Sequence, residues 1–154
     1  MQILLRTLLL FFVLTITSFA EDRWGTNYQA ALDQAAKENK YVLLDFTGSD
    51  WCSWCKRLEK ETFSQPAFKE YAAKNLILVT IDFPQAKEQS TSLKNQNEEL
   101  QRHYHIEGFP TLILLDSKGQ LIKQTSGYLS GGPAGFIRWV DTKEGATKNL
   151  NKNE

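Results

Sequence analysis

The sequence is short of cysteine: it has two, Cys52 and Cys55, and the pair stands within four positions. It has no surplus of either charge, with 18 Lys plus Arg against 18 Asp plus Glu. No basic excess points to nucleic acid, and no acidic run suggests a solvating tail. Partners are therefore chosen by shape and chemistry and not by bulk charge. There is no internal repeat and no sign of a second domain, and 154 residues suit one domain with a real core. Apolar residues at 42% and charged residues at 23% are ordinary values for a globular chain.

The first twenty residues stand apart. Arg6 is followed by an uncharged stretch, Thr7 to Ala20, centred on Leu8-Leu9-Leu10-Phe11-Phe12-Val13-Leu14 and ending Ser18-Phe19-Ala20. That is the three-part pattern of a secretory signal, residues 1–20, with cleavage expected after Ala20. The apolar stretch is shorter than the roughly 20 residues of a spanning helix. An uncleaved membrane anchor is the alternative. No cysteine near the cleavage point offers a lipid attachment site. Residues 21–144 are expected to form the folded domain, and 145–154, rich in Lys and Asn, a disordered polar tail.

Within the domain, Trp24 to Asn39 reads as a helix, with Thr26 and Gln29 as a capping box and Ala31, Leu32, Ala35 and Ala36 as its apolar face. Tyr41 to Phe46, Leu76 to Ile81 and Thr111 to Leu115 read as buried strands. Cys52 to Phe63 has helical composition, and Pro66 marks a break and restart with Phe68, Tyr71 and Ala72 facing inward. Lys94 to Tyr104 is a charged helix. After the turn Asp116–Gly119, Gln120 to Thr125 returns as a fourth strand. A last helix opens at Gly131-Gly132-Pro133 and turns Phe136, Ile137 and Val140 inward. Strands separated by helices predict parallel pairing with right-handed crossovers, and the final hairpin must be antiparallel. The expected fold class is α/β: a central mixed sheet of about four strands, helices on both faces, and an extra N-terminal helix.

The chemistry lies in Trp51-Cys52-Ser53-Trp54-Cys55-Lys56, between a buried strand and a helix start. A disulfide closing so small a loop is a poor staple. It is worth roughly 2 kcal/mol in the chain-entropy model, against about 4.7 for a hundred-residue loop. Its reactivity explains the pair better. A helix N-terminus presents unpaired N–H groups and partial positive charge, and both favour a thiolate at Cys52. Two intervening residues bring Cys55 into the first turn, where it can attack a mixed disulfide. A zinc site with His103 and His105 is the rival reading, but one residue between histidines is closer than zinc fingers typically use. A purely structural disulfide is the other.

These residues resemble the thioredoxin superfamily over Tyr41 to Val140. The element order matches, and the Cys-x-x-Cys follows the first core strand. Gly108-Phe109-Pro110-Thr111 resembles the family's cis-proline loop, and Gly127 the glycine after the terminal hairpin. Phe46-Thr47-Gly48-Ser49-Asp50-Trp51-Cys52 and Thr62-Phe63-Ser64 resemble exported Dsb-type proteins within that superfamily. The resemblance implies that Asp45 is the buried carboxylate that assists proton transfer to Cys55; an Asp at a frayed strand end is the alternative. An ionisable residue in an apolar strand is costly without a role. The loop from Asp45 to Cys52 is one residue longer than in many thioredoxins, and Leu78 stands roughly where a partner lysine is often found. The resemblance also implies a substrate groove lined by Trp51, Trp54, Phe109, Pro110 and Thr111, with backbone at Phe109 pairing with an extended substrate. Trp54 either contacts substrate or packs on the helix, and Lys56 is either solvated or tunes the thiolate.

The implied activity is dithiol–disulfide exchange without a cofactor or metal, because the electrons reside on sulfur. The implied partners are protein substrates carrying disulfides or dithiols, and a membrane thiol–disulfide electron carrier that resets the pair. No nucleic acid is involved, and the protein is expected to be a monomer, periplasmic or secreted. Reductase is the expected direction. Neither Ser53 nor Trp54 carries positive charge and no histidine lies between the cysteines, so the thiolate rests mainly on the helix terminus. An oxidase, an isomerase and a binding or chaperone module without turnover are the rivals.

Overall fold

The computed structural model describes residues 24–142. The expected signal segment and polar tail lie outside the described residues. In chain order the elements are β1 (Trp24–Gly25), α1 (Tyr28–Glu38), β2 (Tyr41–Thr47), α2 (Ser53–Leu58) continued by a π-helical turn (Glu59–Phe63), α3 (Pro66–Asn75), β3 (Leu76–Asp82), α4 (Thr91–His103), β4 (Thr111–Leu115), β5 (Leu121–Ser126) and α5 (Gly132–Asp141). The sheet runs β1-β3-β2-β4-β5. β1 and β2 pair parallel with β3, whereas β4 runs antiparallel to both β2 and β5.

The central strands are apolar on both faces because both are covered. Alternation sends Val42, Leu44 and Phe46 of β2 to one side, where they join Ala31, Ala35, Leu100, Ile113 and Leu115. Leu43 goes to the other, with Leu58, Phe63, Phe68, Leu112, Leu114 and Phe136. Asp45 has the parity of Leu43, so it faces α2 and not α1. That single register choice puts a carboxyl group under the cysteine helix.

Two expectations need correcting at the N-terminus. The sheet has five strands where four were expected, because Trp24–Gly25 pairs with Leu78 and Val79. So short a segment carries no periodicity to read. Trp24 is instead held by its side chain, whose ring lies 5.0 Å from Phe63 and 6.4 Å from Phe68. The helix consequently starts at Tyr28, with no Thr26–Gln29 box. Asn27 is the cap, its side chain accepting from the Ala30 N–H at 2.9 Å. At the other end Asn39 takes the left-handed conformation, φ 52°, that asparagine tolerates at a helix stop. The restart at Pro66 is present, with Phe68 and Ala72 buried. The helix expected from Lys94 begins three residues earlier, capped by Ser90, whose hydroxyl accepts from the Leu93 N–H. Among the described residues no helix is long and apolar enough to cross a membrane.

Candidate active site

β2, ending at Thr47, delivers the chain to the edge of the sheet where the chemistry gathers. The loop that follows is drawn tight by backbone bonds: the Trp51 and Cys52 N–H groups both donate to the Gly48 carbonyl, at 3.2 and 2.8 Å. Gly48 leaves room for the Trp51 ring, since a Cβ there would stand 2.4 Å from the ring's Cε2. Further anchors tie this loop to the last residue of β3 and the segment after it. The Ser49 N–H and hydroxyl bind the Asp82 carboxylate at 2.9 and 2.6 Å, and the Asp50 carboxylate accepts from the N–H groups of Gln85 and Ala86. Those donors hold the Asp50 carboxyl below its ordinary range. The Trp51 indole N–H donates to the Phe83 carbonyl at 2.8 Å.

Cys52 is the N-cap of α2, and its sulfur accepts from the Cys55 N–H at 3.2 Å. The two cysteines are joined in a disulfide and are nearly buried, at 7% and 5% exposure. Lys56 does not reach toward the sulfurs by hydrogen bonding; its ammonium donates to the Asp50 carbonyl at 2.7 Å.

The second part of the site is the loop before β4. The Phe109–Pro110 bond is cis. Pairing of Phe46 with Thr111 sets this loop at the same sheet edge as the end of β2. Phe109 packs edge-on against Trp51 at 5.9 Å and stacks on Phe83 at 5.1 Å. Pro110 is buried, and its carbonyl accepts from the Gly127 N–H at 2.8 Å. Thr111, expected in the groove, is buried, and its hydroxyl donates to the Gly108 carbonyl at 2.7 Å. Its side chain therefore braces the loop from within. Trp51 and Trp54 are exposed, at 42% and 51%.

Beneath the disulfide a cleft of about 260 Å³ is lined by Asp45, Cys55, Lys56, Glu59, Thr80 and Trp24, among others. Asp45 is buried and its Oδ1 has no hydrogen-bond partner. Burial first, then the negative charges of Glu59 and Asp82, push its carboxyl up to about 8. Leu78 pairs with Leu43 and Trp24, so the cleft has no lysine from β3. Glu59 is not among the site residues expected above, although its spacing of four from Cys55 places it on the same helix face. Phe83 and Tyr128 gave no such signal, because their partners are far away in the chain. Among the described residues no three His, Cys, Asp or Glu side chains gather closely enough to hold a metal ion. His103 packs instead against its neighbour Tyr104 at 4.6 Å.

Comparison with known proteins gives a consistent result. A family model described as a thioredoxin-like domain matches residues 28–142. The disulfide bond reductase DsbH of Chlamydia pneumoniae is 34% identical over 114 residues, covering 74% of this chain and 68% of that protein. The thiol:disulfide interchange protein DsbD of Actinobacillus pleuropneumoniae is 31% identical over 108 residues, which is 69% of this chain but only 17% of DsbD. A solved DsbH oxidoreductase superposes with a TM-score of 0.69 at 33% identity, covering 76% of this chain and 80% of the other.

Proposed function

From the premise that the chain belongs to the thioredoxin-like family, as a Dsb-type thiol–disulfide oxidoreductase with its Cys-x-x-Cys pair at Cys52 and Cys55, we propose that it is an exported protein-disulfide reductase. The observation that carries this reading is the placement of Cys52 as the cap of α2, with Cys55 in the first turn behind it. In the reduced protein the Cys52 thiolate attacks one sulfur of a substrate disulfide. A mixed disulfide forms and the substrate's other sulfur leaves as a thiolate, which takes up a proton. Cys55 then loses its proton and attacks Cys52. The Cys52–Cys55 disulfide forms, and the second substrate sulfur leaves. The substrate gains two electrons and the pair loses two.

Asp45 is the group we assign to Cys55. With its carboxyl raised to about 8, it can both hold and give up a proton near neutral pH, as a relay requires. Trp51, Phe109 and Pro110 form the floor and one wall of the groove over the pair, with Thr111 bracing the loop below. The partners are proteins with disulfides outside the cytoplasm, and a membrane thiol–disulfide carrier that returns electrons to the pair.

The direction of electron flow is supported by two things. Nothing between the cysteines is cationic, and Lys56 is engaged with the Asp50 carbonyl, so the thiolate has only moderate stabilisation. The relative with 68% of its length matched is named a disulfide bond reductase. Equilibration with glutathione buffers tests the direction. A couple well below the glutathione pool is expected; one as oxidising as the strong periplasmic oxidants, near −120 mV, would favour the oxidase.

A further inference from the structure

Four side chains beside the cysteine pair interlock, and the exchange chemistry uses none of them. Trp54 stands on the first turn of α2. Tyr128 follows Gly127, the residue bonded to the Pro110 carbonyl. The two rings meet at 5.6 Å between centroids. The Arg57 guanidinium lies against both, 5.4 Å from the Trp54 ring and 4.8 Å from the Tyr128 ring. Its Nε donates to Glu61 at 2.9 Å, and the Tyr128 hydroxyl donates to the other oxygen of the same carboxylate.

The sheet order decides what this group can do. The segment after β3 and the segment after β5 leave the same edge on opposite sides of β2. Phe83, Phe109 and Trp51 occupy the first side, and Tyr128 with Trp54 the second. Trp51, next to Cys52, packs into the first aromatic wall, and Trp54, between the cysteines, into the second. Arg57 is matched by Glu61, so the second wall offers ring surface without net charge. A lone exposed tryptophan would lose rotamer freedom on binding, whereas this one is already held.

The occupant follows from the chemistry. A mixed disulfide on Cys52 brings the chain around the substrate cysteine near Trp54, two residues along in the sequence. In an extended segment, side chains two positions from that cysteine point the same way, about 6.6–6.8 Å along. We propose that Trp54 and Tyr128 are specificity-determining residues that receive an aromatic or large aliphatic side chain two residues from the reactive cysteine of an extended substrate. Arg57 and Glu61 are positioning residues that hold the rings. The proposal rests on the disulfide-exchange reading of Cys52 and Cys55.

The test uses the full chain, with dithiothreitol as electron donor, on two self-quenched disulfide-linked peptides of sequence Ala-Xaa-Ala-Cys-Ala-Xaa-Ala, where Xaa is Phe or Ser. The unaltered protein should favour the Phe peptide by about tenfold in kcat/KM. Tyr128→Ala should reduce that ratio to about twofold, whereas Tyr128→Phe, which keeps the ring, should retain most of it. Trp54→Ala, at an exposed position, should show the same loss and serves if Tyr128→Ala does not fold. Equal turnover of both peptides, or a ratio untouched by either alanine variant, overturns the wall while leaving the exchange reading intact. Turnover of neither peptide overturns both.

Discussion

The carboxyl groups of Asp45 and Glu59 line one cleft beneath Cys55, and the charge of the second adds to burial in raising the first. A buried acid that ionises near pH 8 is costly to keep as a merely structural group and useful as a proton relay. Two consequences of this pair can be measured.

Asp45→Asn should fold and should slow exchange at pH 7 by about tenfold or more, the scale of general acid–base assistance. The same substitution should change how stability depends on pH. The folded chain keeps the Asp45 proton up to about pH 8, against 3.8 for an ordinary aspartate. Between those values the folded state holds the extra proton. The stabilisation is therefore complete below pH 3.8 and is lost as pH rises toward 8, by at most about 1.4 kcal/mol per unit. Urea unfolding of the oxidised protein across that range should show the slope in the parent and not in Asp45→Asn. A parallel pH dependence in the two proteins would return Asp45 to a structural role.

Glu59→Gln removes one of the two charges that raise Asp45. The Asp45 carboxyl should then titrate lower, moving the pH profile of exchange down. An NMR titration of the Asp45 side-chain carbon reads the same shift directly. No movement in either would mean that burial and the charge of Asp82 set the value without Glu59.

Cys55→Ser should accumulate covalent complexes with substrate proteins through Cys52, because nothing remains to resolve them. Cys52→Ser should accumulate few, since Cys55 lies within the first turn of α2. Non-reducing gels of the two variants decide the matter, and equal trapping contradicts the assignment of attacking sulfur.

Phe136→Ala addresses the fold away from the sulfurs. The ring is fully buried, 5.0 Å from Phe68 and 6.2 Å from Phe63. Its loss should lower stability by about 3–5 kcal/mol, with the reduction of a small disulfide unchanged under conditions where the variant is folded. A cost under about 1 kcal/mol would show that the cluster around α5 repacks.

Much of this protein is written in short-range pattern. The apolar runs Tyr41–Phe46, Leu76–Ile81 and Thr111–Leu115 announce strands, because a strand buried on both faces needs little more than uninterrupted β-forming residues. Cys52 and Cys55 announce their chemistry, because a dithiol at a helix start depends on spacing and local backbone alone. What lay beyond reach depends on pairs distant in the chain. Trp24–Gly25 became a strand because Leu78 and Val79 offered it an edge. Ser49 and Asp50 hold the active loop only because β3 ends beside it. Tyr128 meets Trp54 because the sheet order brings the end of β5 beside the first turn of α2. The sequence by itself determined the elements and the reactive pair, since those follow from neighbours within a few residues. Only the tertiary structure decided the walls around the pair and the charge beneath it, since side-chain contact and desolvation are set by distance in space, which the chain's order does not record.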